Sequence, residues 1–145
     1  MEQTMQTNIN YQTNFQSIHL NKGGIEFLNK EGGINTVNRY HTIKDKFSSY
    51  KWHLNIDENG YSLVSPRESK TYVGPFSIKK MIKNKNQFLP RIVFRMDDTG
   101  KKKYVVHCNS VEEVKNLYKK IKKAQGFEKM LLILASLENH IKDIL

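Results

Sequence analysis

Apolar and polar positions alternate most clearly between Pro90 and Gly126. Over residues 91–97, Ile92, Phe94 and Met96 point one way, and Arg91, Val93 and Arg95 the other. That is the period of a strand with one buried face. Asp97-Asp98-Thr99-Gly100 supplies a turn, and residues 103–108 alternate again, with Tyr104, Val106 and Cys108 opposite Lys103, Val105 and His107. Two such runs around a short glycine-bearing turn predict a β-hairpin. Ser110-Val111-Glu112-Glu113 then fits a capping box, in which the serine oxygen takes an orphan amide and the glutamate reaches back to the cap. Val111, Val114, Leu117, Tyr118, Ile121 and Ala124 follow at helical spacing, with lysines in the last turn and Gly126 as the expected C-terminal cap.

The same grammar, less sharply written, runs through the rest of the chain. Residues 51–65 read as a second hairpin, with Trp52, Leu54, Ile56, Tyr61 and Leu63 inward around Asp57-Glu58-Asn59-Gly60. Residues 70–73 read as a short edge strand, and residues 76–84, after Gly74-Pro75, as a short helix. Phe127, Met130, Leu134, Leu137, Ile141 and Ile144 are spaced three, four, three, four, three, a coiled-coil seam of about two and a half heptads. It serves either as packing on the chain's own domain or as a homodimer seam. Upstream, Ile34, Val37, Tyr40, Ile43 and Phe47 give a loose helical period. A turn near His41-Thr42 would make this a helix-turn-helix, but small residues are missing where two such helices must cross. Residues 1–20 are rich in Gln, Asn and Thr and read as a flexible arm.

The predicted fold class is therefore α+β: an antiparallel sheet of about four strands from two β-hairpins, packed by a capped helix and a C-terminal helix. The predicted organisation is an arm over 1–20, a short helical segment over 21–48, and a basic domain over 49–145 that ends in an amphipathic helix.

Charge adds to this picture. Lys and Arg total 24 against 14 Asp and Glu, a formal charge of +10. Residues 1–48 carry five basic and four acidic side chains, leaving 19 and 10 for the remainder. A basic folded part favours phosphate backbones, anionic membrane surfaces or acidic protein partners. Only Arg39, Arg67, Arg91 and Arg95 are arginines. The lysine excess matches AT-rich coding, of a kind that suits a phage or mobile element. It also favours backbone contact over base reading, because lysine is a point charge without a planar fork. Cys108 is the only cysteine, so a disulfide within the chain is ruled out and a reducing, cytoplasmic location is expected. No apolar run is long enough for a signal core or a membrane span, so no membrane partner is expected.

The candidate chemistry is mostly charge on a sheet. If the two hairpins share one sheet, its outer face presents Lys51, His53, Asn55, Arg91, Arg95, Lys103 and His107, with Lys101 and Lys102 at the turn end. Lys115, Lys119, Lys120, Lys122 and Lys123 form a second cluster on the helix that extends the track or is a solvated helix face. A nuclease-like set, Asp57 with Glu68-Ser69-Lys70, lacks the apolar strand that normally carries it. His19, His41, His53, His107 and His140 show no metal spacing, no phosphate loop is present, and no cofactor is expected. Two functions fit. One is a non-enzymatic nucleic-acid-binding protein that contacts the phosphate backbone through the sheet face. The other is a small protein-binding module or inhibitor acting on a host or partner protein. It would dock through the arm or through Phe127, Met130, Leu134, Leu137 and Ile141, with the basic surface meeting an acidic patch.

Overall fold

The structure, a computed structural model, describes residues 17–66, 69–82, 90–96 and 102–144, with side chains up to Asn139. It is α+β, as the sequence predicts. Its strands form two sheets, one of four strands and one of three, and the chain divides into two compact units, residues 1–70 and 71–145. The boundary differs from the sequence reading, which placed breaks after residues 20 and 48. Residues 18–20 form strand β1 (Ile18–Leu20), which belongs to the first unit, and residues 1–16 of the expected arm lie outside the described residues.

In the first unit β1 is followed by helices α1 (Lys22–Gly32) and α2 (Ile34–Ile43), a 3-10 turn (Lys44–Phe47), and strands β2 (His53–Asp57) and β3 (Gly60–Val64). The predicted hairpin is β2–β3, with Leu54 opposite Leu63 and Ile56 opposite Tyr61. On its other side β2 pairs in parallel with β1, so that Ile18 meets Leu54 and Leu20 meets Ile56. Ile18, Leu54, Ile56, Leu63 and Trp52 are fully buried, and Leu28 of α1 joins them. Asn21 caps α1 by accepting from the Gly24 amide at 2.7 Å. The helix break falls at Gly33, not near His41-Thr42. Gly33 has φ +74 and ψ −171, a conformation essentially reserved for glycine, and this turns α1 directly into α2. The proposed helix-turn-helix spacing is therefore absent from this segment.

The second unit holds β4 (Thr71–Val73), β5 (Ser77–Met81), β6 (Arg91–Arg95), β7 (Lys103–His107), α3 (Val111–Lys123) and α4 (Gly126–Ile144). Strands β5, β6 and β7 form an antiparallel sheet in that order. β5 corrects the short helix expected over 76–84. Ser-Ile-Lys-Lys-Met fits either period, and pairing with β6 decides it: Ile78 lies opposite Phe94 and Lys80 opposite Ile92. The predicted hairpin β6–β7 has the expected faces. Ile92, Phe94, Met96, Val106 and Cys108 are buried. The turn between its strands lies outside the described residues.

α3 carries the predicted capping box. The Glu113 amide donates to Ser110 Oγ at 3.1 Å, and the Glu113 carboxylate accepts from the Asn109 amide at 2.6 Å, one residue before the cap. Ser110→Ala is expected to cost about 1 kcal/mol, read as a lower urea midpoint with an unchanged slope. Gly126, expected to cap α3, instead opens α4, while α3 closes through the Ala124 amide on the Lys120 carbonyl. α3 packs against β5 and β6, and α4 against β7 and α3. The apolar seam of α4 is used inside the chain: Phe127, Met130, Leu134 and Leu137 are buried, along with Leu131 and Ile133. Those four proposed interface side chains are thus unavailable to a partner without displacing the helix, and the Ile141 side chain lies outside the described residues.

Candidate nucleic-acid interface

The sheet of the second unit has one face toward helices and one away from them. Lys80 shares the face of Ile92 and meets Tyr118 of α3, so the helices cover that side. The other face is a three-by-three array fixed by the register. Its rows are Ser77–Arg95–Lys103, Lys79–Val93–Val105 and Met81–Arg91–His107. Five of these nine positions carry Lys, Arg or His and none carries Asp or Glu. Lys79, Arg95, Lys103 and His107 are exposed; Arg91, Val93 and Val105 are half-buried. Rows stand about 6.8 Å apart and strands about 4.8 Å apart, so the array measures roughly 14 by 10 Å. Arg95 stands directly opposite Lys103. A like-charge cross-strand pair weakens a sheet, so the fold gains nothing from it.

The sequence-predicted residues separate into three groups. Arg91, Arg95, Lys103 and His107 share one face as expected, and Lys79, which had been placed on a helix, joins them. Lys51, His53 and Asn55 do not. They lie in or just before β2, in the first unit, because the two hairpins belong to different sheets. The single-sheet premise is therefore corrected. Lys102 precedes β7 with its Nζ 5.3 Å from the Tyr104 ring centroid, and Lys101 lies outside the described residues. Lys119 and Lys123 are exposed on α3, in the helical layer and not on the array. Of the nuclease-like set, Glu68 is outside the described residues, and Asp57 Oδ1 accepts from the Asn59 amide at 2.8 Å within the β2–β3 turn.

Two arrangements escaped the sequence. Around Tyr118, Lys80 Nζ and Lys122 Nζ lie 5.1 and 6.0 Å from the ring centroid. In the first unit His19 Nε2 and His53 Nδ1 are 2.9 Å apart, with ring centroids at 4.9 Å. Reading residues 1–20 as an arm hid that pair, because the β1 register alone brings His19 to β2. Burial, and then the neighbouring His53, push the His19 imidazole below its usual value of 6.5. The neutral ring is thus the form the fold holds, and the unfolded chain binds more protons near pH 6. The contribution is complete above pH 6.5 and is lost as pH falls through the folded value. The urea midpoint is expected to drop between about pH 7.5 and about pH 5, and His19→Gln to reduce that drop. An equal drop in both proteins would contradict this.

Among the described residues no group of three or more His, Cys, Asp or Glu side chains converges as a metal site. No helix among them is long and apolar enough to cross a membrane. Compared with known proteins, the chain matches no family model, no curated protein and no solved structure.

Proposed function

We propose that the protein is a non-enzymatic nucleic-acid-binding protein that contacts the phosphate backbone through the open face of β5, β6 and β7. The observation that supports this is the array itself: five basic positions of nine, no acid, and a like-charge pair the hairpin does not need. Lys79, Arg91, Arg95 and Lys103 supply four permanent charges spread over the face, and Arg91 and Arg95 can each hold a phosphate bidentately. Val93 and Val105 in the centre give a flat apolar floor rather than an aromatic one, so the face itself has no stacking platform. Backbone contact without base reading follows, with little sequence preference.

The competing reading, docking on an acidic protein surface, uses the same charges. The test is fluorescence anisotropy of labelled single- and double-stranded DNA and RNA with the purified chain at about 50 mM salt. Saturable binding to any of the four supports the proposal. No binding at that salt contradicts it and leaves the acidic protein surface as the use of the charge.

A further inference from the structure

The helical side of the second unit carries a groove with a different chemistry from the array. Tyr118, half-exposed on α3, has the ammonium groups of Lys80 and Lys122 near its ring, at 5.1 and 6.0 Å from the centroid. Lys115, Asn116 and Lys119 complete the walls of a cavity of about 470 Å³. That volume lies within the roughly 300–1,000 Å³ of small-ligand pockets. Glu112 is the one acid among the lining residues, able to accept from an exocyclic amine and unfavourable to phosphate.

We propose that this groove seats one nucleotide of a single-stranded nucleic acid, its base stacked on Tyr118 and its flanking phosphates held by the surrounding lysines. The inference rests on the function proposed above and names its substrate class. An aromatic ring with cations around it is the pairing that single-strand binders use: stacking for the base, point charges for the backbone. A duplex offers the lysines its phosphates but keeps its bases inside the stack, so only an unpaired base reaches the ring. The two basic surfaces also meet along the chain. Among the described residues β5 is an edge strand, and on it Lys79 faces the array while the next residue, Lys80, faces the groove. A flexible single strand can pass over that edge from one lysine to the next; a stiff duplex cannot.

The test compares a labelled single strand with its duplex on the full chain. Tyr118→Leu, which keeps apolar packing on α3 and removes the ring, is expected to lower single-strand affinity about tenfold, the size of one aromatic–base stack, and to leave duplex affinity unchanged. Tyr118→Phe is expected to keep parent affinity. Lys80→Ala with Lys122→Ala is expected to reduce the single-strand salt slope by about 1.4. Parent-like single-strand affinity in a folded Tyr118→Leu variant overturns the inference, as does an equal loss on single strand and duplex. If Tyr118→Leu has no effect while an Arg91/Arg95/Lys103 alanine variant still loses affinity, the groove fails and the sheet face stands. If neither variant changes binding, both readings fail.

Discussion

Gly24→Ala is expected to destabilise the first unit by about 2–4 kcal/mol, lowering its melting midpoint by about 10 °C or more. Gly24 sits in the first turn of α1, where the helix lies directly on the central strand β2. A Cβ built there falls 2.0 Å from the Ile56 carbonyl oxygen and 2.7 Å from its carbon. Both are main-chain atoms of a strand paired on two sides, so neither can rotate away. Relief requires α1 to lift from β2, which opens the interface between the helix that carries the buried Leu28 and the strand that carries the buried Leu54 and Ile56. The gain in helix propensity from glycine to alanine, at most about 1 kcal/mol, does not offset this. Gly23→Ala is the control. Its Cβ meets the Glu58 carboxylate oxygen, the far end of a flexible side chain, at 2.6 Å and the Glu58 Cβ and amide nitrogen at 3.0 and 3.1 Å, which need give only a few tenths of an ångström, so a smaller cost is expected. Urea or thermal unfolding of the two variants separates them; equal stability would contradict the close approach of α1 to β2.

The second large effect concerns binding. Replacing Arg91, Arg95 and Lys103 together by alanine is expected to weaken nucleic-acid affinity about ten- to hundredfold at low salt, at about 0.5–1 kcal/mol for each exposed charge contact. The three occupy two rows of the array and leave Lys79 as its only permanent charge. The variant should fold, because Arg95 and Lys103 are exposed and their removal relieves a like-charge pair. A control removing Lys51 and His53, in the other unit, should leave affinity unchanged. Equal losses in the two variants would show that total charge, and not the array, governs binding.

How much of this was legible in the sequence depends on how local each signal is. The β6–β7 hairpin and α3 were legible because their determinants lie within a few residues: strict alternation, a glycine-bearing turn, and a capping box with Ser110 and Glu113 three apart. The faces of Arg91, Arg95, Lys103 and His107 followed from that period alone. β5 was misread because five residues with two apolar positions fit a helix or a strand, and only pairing with β6 decides between them. The same error hid Lys79 from the array and Lys80 from the Tyr118 groove. β1 was missed for a related reason. Three residues carry no period, and their partner strand begins more than thirty positions later. Whether the two hairpins share one sheet depends on long-range pairing that local pattern does not contain. The separation of Lys51 and His53 from the array follows from that pairing and not from their own local period.

The most direct measurement is the slope of log affinity against log salt, for the parent chain and for the Arg91/Arg95/Lys103 alanine variant. With about four phosphate contacts from the array the parent slope should be near −3.6 on duplex DNA, so a fourfold rise from about 50 mM salt weakens binding about 150-fold. With one array contact left the variant slope on the same duplex should be near −0.9. A parent slope close to zero, or the same steep slope in both proteins, would contradict the assignment of nucleic-acid binding to this face.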